Sequence, residues 1–191
     1  MRCQECFSIF PKPDILDNVA YFVCEKCGNL FEKEGYEILN ESQRIERFEK
    51  ENNLKFPKEF ISFQNSDQTW VTRLPPADTK VLKHYFGSGF YVFNSLFRFE
   101  EDETSSVLYS FSDAKEWGLP ESILPIDGDG HTWLALDYRS DRIIPTVIVI
   151  ESDFCESLEV AKNFRDFING VLPYESVYNY DGEVILGEDV D

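Results

Sequence analysis

The chain has 191 residues, enough for one good-sized domain, or one domain with a small appendage. Its 42% hydrophobic and 15% aromatic content, with 17 phenylalanines, excludes a disordered acidic chain and supplies a proper core. A net charge of −18 repels nucleic acid and favours a basic partner.

That charge is unevenly spread. Residues 1–40 carry 4 basic and 7 acidic side chains, residues 41–100 carry 9 and 8, and residues 101–191 carry 5 and 21. An excess of −16 therefore lies in the C-terminal half. No apolar run approaches the roughly 18 residues that a membrane-spanning helix needs, so no membrane association is expected. The first residues show no apolar signal region, which predicts a cytoplasmic protein.

Four of the five cysteines form two Cys-x-x-Cys pairs, Cys3/Cys6 and Cys24/Cys27, with seventeen residues between the pairs. Two residues between thiolates make a tight knuckle that offers both sulfurs to one ion, and two knuckles complete a tetrahedron. Gly28 suits the sharp turn that closes the second knuckle. The spacing predicts a zinc ribbon over residues 1–35 with one structural Zn2+, whose four thiolates leave no open position for catalysis. Disulfides would need an oxidising compartment, and a thioredoxin-like redox pair would need a βαβ setting. Zinc ribbons bind nucleic acid or protein, and without a basic face this one is expected to bind protein. Cys155 reads as a small core or strand-end residue.

Residues 35–40 read as a linker. A helix is predicted over 41–52, with Ile45 and Phe48 on one face. Pro57 opens a second, shorter helix with Phe60, Ile61 and Phe63 inward, ended by residues 65–67. Strands are predicted at 81–85 and 90–99, separated by a turn at 87–89. An acidic loop of Glu100, Glu101, Asp102 and Glu103 follows, then a strand at 107–111 and a short Ser112-capped helix over 113–117.

The central hairpin is predicted next, its strands at 133–138 and 145–150, preceded by the turn Asp127-Gly-Asp129-Gly. The first strand alternates, which fits one buried face; the second is a nearly continuous β-branched run, which fits two. A helix opening at Ser157 would turn Leu158, Ala161, Phe164, Phe167 and Ile168 inward and stop at Gly170 and Pro173. Residues 174–191 read as a loose acidic C-terminal tail with one short strand at 183–186. The fold class is α+β: an antiparallel sheet flanked by an N-terminal helix pair and a C-terminal helix, preceded by the zinc ribbon. The expected division is 1–35, 41–173 and 174–191.

This order of elements resembles the SUKH superfamily, named for a fungal regulator of cell-wall synthesis and its bacterial relatives. The resemblance runs from Gln43 to Val171. It is carried by Ile45-Glu46, Leu54, Phe56-Pro57 and Phe60, then by Leu119-Pro120, Ile123-Leu124-Pro125-Ile126 and Gly128-Asp129-Gly130. Leu136-Asp137, Pro145-Thr-Val147 and Phe164-Arg165-Asp166-Phe167 complete it. Two departures stand out: a glycine usual after the second helix is absent around residues 65–67, and a Gly-Asp pair reads Gly130-His131. The resemblance implies a protein-binding role without chemistry. In bacteria that role is immunity against a polymorphic toxin, commonly a nuclease; in fungi it is a signalling adaptor.

A search for an enzyme finds little. His131 lies beside Asp129, yet no serine or cysteine nucleophile motif accompanies it. Asp127-x-Asp129-Gly opens like a calcium loop, but the twelfth position is Tyr138, where a bidentate glutamate is required. The expected partner is a basic toxin domain, met by an acidic face that includes Glu100, Glu101, Asp102, Glu103, Asp127 and Asp129. Trp70 or Tyr138 is expected to serve as an aromatic anchor. The alternative is a general interaction adaptor that docks through the ribbon.

Overall fold

The computed structural model describes residues 3, 5–8, 13–16, 19–34, 39–63, 68–94, 96–99 and 106–186. Near the N-terminus, β1 (Asp14–Leu16), β2 (Val19–Val23) and β3 (Leu30–Glu34) form an antiparallel sheet in that order. Ala20 and Phe22 alternate inward from β2 and, with Cys3 and Cys24, make a small separate cluster against which Phe31 packs. Among the described residues these four make a small apolar cluster, and a unit of this size commonly relies on a further staple.

Helix α1 (Glu41–Asn52) starts at Asn40, whose side chain accepts from the Gln43 N–H while the Gln43 side chain accepts from the Asn40 N–H. That reciprocal pair satisfies two donors the helix would otherwise leave orphaned. The helix ends at Asn53 in the left-handed conformation. Pro57 precedes α2 (Lys58–Phe63), and Ile45, Phe48 and Phe60 point into the core as expected.

The remaining elements are β4 (Trp70–Arg73), α3 (Lys80–Phe86), β5 (Phe90–Phe93), α4 (Val107–Glu116) and β6 (Ile123–Gly128). They are followed by β7 (Thr132–Asp137), β8 (Thr146–Glu151), β9 (Ser157–Ala161), α5 (Phe164–Gly170) and β10 (Val171–Pro173). Two antiparallel sheets result, one ordered β10-β4-β5 and the other β6-β7-β8-β9. The expected hairpin is the pair β7–β8 at the centre of the larger sheet. Leu134, Leu136, Val147 and Val149 face the main core, where Phe56, Phe60, Phe99 and Phe164 pack edge to face or stacked. Each such ring contributes about 1.5–3 kcal/mol through burial. Trp133, Ala135, Ile148 and Ile150 face a second cluster with Ala114 and Leu119. Strand β7 is thus covered on both faces, where its alternation had suggested one.

The fold is α+β with antiparallel sheets, as the sequence predicts, but several elements differ. The strand expected at 81–85 is α3: the Thr79 side chain accepts from the Leu82 N–H and starts a helix, with Leu82 and Phe86 buried four apart. The strand expected over 90–99 ends at Phe93, beyond which Leu96 and Phe99 enter the core from irregular chain. The strand expected at 107–111 is the first half of α4, so the helix starts six residues before the 113–117 expectation. Residues 157–161 form β9, paired with β8, and the last helix begins only at Asn163, whose side chain accepts from the Asp166 N–H. The expected tail folds back in part. Within it Val177 is fully buried and Tyr178 bridges Val184, while residues 187–191 lie outside the described residues; β10, just before it, pairs with β4.

Candidate functional site

The two cysteine pairs meet. The Sγ atoms of Cys3, Cys6, Cys24 and Cys27 all lie within 4.8 Å of one another, with Cys3–Cys27 at 3.5 Å and Cys6–Cys24 at 3.4 Å. Both knuckles have the same backbone plan. The Cys3 carbonyl accepts from the Phe7 N–H at 2.9 Å, and the Cys24 carbonyl accepts from the Gly28 N–H at 2.7 Å. Phe7 and Gly28 both take positive φ, 58° and 71°, immediately after the second cysteine of their pair. The equivalent position costs nothing at Gly28 and is strained at Phe7.

A tetrahedral tetrathiolate with metal–sulfur bonds of about 2.3 Å has sulfurs about 3.8 Å apart, so this set can hold a metal ion. Protonation points the same way. The Ser8 hydroxyl and N–H hold the Cys6 thiol down at about 6. At Cys27 the Asn29 N–H favours the thiolate, but burial and the neighbouring sulfurs outweigh it and push the thiol up to about 12. Four crowded thiolates cannot all ionise unaided; a cation in their midst removes that conflict.

The acidic turn is also built from both sides. A register shift between Pro125 and Asp127 sets the end of β6, where the half-buried Asp127 accepts from the Tyr91 hydroxyl of β5 at 3.0 Å. Burial pushes the Asp127 carboxyl up to about 6, against the pull of the Tyr91 hydrogen bond and with the help of the Asp129 charge. The exposed Asp129 differs. Burial would raise its carboxyl, but the N–H groups of Thr132 and His131 more than offset this and hold it below its usual range. Tyr91, Phe93, Phe97, Asp127, Asp129 and Thr132 are among the residues lining a cleft of about 430 Å³.

The other expected site residues are scattered. Trp70 is half-buried in β4 against Phe63 and opposite Phe93 of β5, and it is not among the residues lining the cleft at the acidic turn. Tyr138 is fully buried, and its hydroxyl donates to the Lys55 carbonyl at 2.9 Å, so it is a core residue rather than an exposed anchor. Glu100, Glu101, Asp102 and Glu103 lie outside the described residues. His131 places its ring 6.2 Å from that of Trp117, and its N–H donates to Asp129.

Three polar residues escaped the sequence reading. Tyr91 pairs with Asp127 across thirty-six residues. Glu49 is buried and accepts from the Phe56 N–H and the Lys55 ammonium. Glu151 is fully buried and accepts from the N–H groups of Asp153, Phe154 and Glu156, tying the β8–β9 turn. Only contacts distant in sequence mark Tyr91, and no local pattern could have revealed it.

A model of the SMI1 / KNR4 family (SUKH-1) matches residues 41–170. No curated protein and no solved structure matches the chain. Among the described residues, no helix is long and apolar enough to cross a membrane.

Proposed function

Since the chain belongs to the SMI1 / KNR4 family (SUKH-1), we propose that it works by binding protein, as an immunity protein that neutralises a basic toxin domain such as a nuclease. Family membership supports a protein-binding domain of immunity or regulator type. The observation that carries the finer reading is the charge: 21 acidic against 5 basic residues over 101–191, with the acidic cleft at the end of β6 among them. Complementary charge speeds encounter and suppresses wrong partners, which a protein that must capture a toxin quickly requires. The work is steric, so no catalytic residue is assigned.

The cysteine cluster takes zinc in this reading, as a structural ion for residues 1–35, with the SUKH fold following over 41–173. A cytoplasmic setting keeps the thiols reduced and available to metal. The partner is protein; nucleic acid and membrane are disfavoured by the same negative field.

A second reading has a specific observation behind it. The first 35 residues expose Phe7, Leu16, Val23 and Leu30, and Val23 sits directly across from Leu30 in the β2–β3 pair. An adaptor that docks through the ribbon would use such side chains. Capture of the partner from the source cell, followed by binding to two variants, separates the readings. Charge reversal at Glu101, Asp102, Asp127 and Asp129 should abolish binding if the acidic face carries it. Binding lost instead on removal of residues 1–35, and retained after charge reversal, would give the role to the ribbon.

A further inference from the structure

The cleft beside Asp127 has a chemistry that the overall charge does not require. Asp127 is half-buried, and its side-chain partner is a neutral hydroxyl, that of Tyr91. Asp129 is two residues away and adds a like charge. Its Oδ1 is occupied by the Thr132 and His131 N–H groups and the Thr132 hydroxyl, which fixes the carboxylate in place. Among the described residues the ion pairs join Arg47 to Glu51, Lys55 to Glu49, Arg139 to Asp137 and Arg165 to Glu59; none involves Asp127 or Asp129. A carboxylate partly removed from water, facing a like charge and without a cation, is costly to maintain.

The walls narrow what can enter. The half-buried Tyr91 and Phe97 line the cleft beside the two carboxylates, together with Asn94 and Thr132, while the Phe93 ring turns into the main core against Phe63 and Phe167. An anion would be repelled, and a neutral group would leave the charge unpaired. The occupant that satisfies both halves is a cation on an apolar stem, whose methylenes lie along rings while its head meets a carboxylate.

We propose that this cleft receives one lysine or arginine side chain of the protein partner, with Asp127 as counter-ion, Asp129 at the mouth, and Tyr91 and Phe97 against the stem. The assignment rests on the reading of the partner as a basic protein and names where that partner inserts. Desolvated charge pairs and arginine anchors carry a large share of binding energy at interfaces, whereas rim charges chiefly set association rate.

The test titrates the full 15N-labelled chain with N-acetyl-arginine N-methylamide and N-acetyl-lysine N-methylamide. N-acetyl-citrulline N-methylamide, nearly isosteric with arginine but neutral, is the control. Saturable shifts are expected at the amides of Tyr91, Asn94, Gly128 and Thr132 for at least one cationic probe and not for citrulline. Asp127→Asn should weaken binding by about tenfold or more. Asp181→Asn removes the same charge from an exposed turn, and should change binding less than about twofold. Tyr91→Phe serves as a second probe if the Asp127→Asn spectrum shows a fold defect, and it should alter affinity while leaving amide dispersion intact. Shifts spread over the acidic surface, equal effects of Asp127→Asn and Asp181→Asn, or equal binding of citrulline would overturn the assignment. A captured basic partner that binds Asp127→Asn undiminished would also remove the cleft but leave the immunity reading standing. A cation-selective cleft with a partner that is not basic would do the reverse.

Discussion

The hydroxyl of Tyr91 on β5 donates to the carboxylate of Asp127 on β6, joining the edges of two separate sheets at 3.0 Å. The bond does not restore an ordinary acidity, because burial still pushes Asp127 up to about 6 from 3.8. A folded value above the unfolded one means that the folded state holds this proton more tightly. The resulting stabilisation is complete below about 3.8 and is lost as pH rises through about 6. At neutral pH the charged carboxylate then costs up to about 3 kcal/mol, less whatever solvent screening recovers in a half-open cleft. Asp127→Asn keeps an acceptor for Tyr91 and removes that charge. It should therefore stabilise the chain by about 1–3 kcal/mol at pH 7.5 and by almost nothing near pH 4. Urea denaturation at the two pH values measures the difference; an effect independent of pH would refute the assignment of the charge.

The cysteine cluster has a separate expectation. Elemental analysis of protein purified without chelator should find one zinc per chain. Cys24→Ser should lose the metal and collapse the amide signals of residues 19–34 while those of α1 to α5 persist. Protein that carries no metal in such a preparation, or a Cys24→Ser chain that unfolds throughout, would contradict a local structural site.

Trp133 is buried on the β7 face opposite the main core, its ring so close to Gly128 that a Cβ there would lie 2.5 Å from it. Trp133→Ala should cost about 3–5 kcal/mol through the cavity it leaves. Tyr138→Phe should cost about 1 kcal/mol, since it leaves the Lys55 carbonyl without the hydroxyl. Chemical denaturation checks both, and a loss below about 1 kcal/mol for Trp133→Ala would place that ring on the surface.

Rim charges act on association rate. Glu101→Lys combined with Asp102→Lys should slow association with a basic partner and flatten its dependence on salt, with a smaller change in dissociation. Stopped-flow binding at low and moderate ionic strength reads this directly. An unchanged rate at both would take these two residues out of the interface.

Local signals were legible where the physics is local. The two Cys-x-x-Cys pairs, the helix that starts after Asn40, Pro57 before α2 and the β-branched run of β8 each announce their structure within a few residues. Aromatic and β-branched content misled at α3 and α4. There Thr79 capping and burial of Leu82 and Phe86, and packing of α4 beside β6, override a strand-like composition. The reverse held at β9, where Leu158 and Val160 alternate as a strand although they can also be laid on a helical face. At the acidic turn, Asp127 and Asp129 were visible as candidates. Their different acidities were not, because one depends on Tyr91 and burial and the other on the N–H groups of its own turn. Tyr138 looked like an anchor only because a sequence does not show that its hydroxyl is spent on Lys55.

The most direct measurement is reconstitution with the partner. Full chain immobilised in extract from the source cell should retain a basic protein, which is then produced separately and titrated with the purified chain in a calorimeter while its own activity is assayed. A stoichiometric complex that silences that activity, weakens with added salt, and weakens further with Asp127→Asn is the expected result. A captured protein that stays fully active in the complex, or a complex indifferent to salt and to charge reversal at Glu101, Asp102, Asp127 and Asp129, would contradict neutralisation through the acidic face.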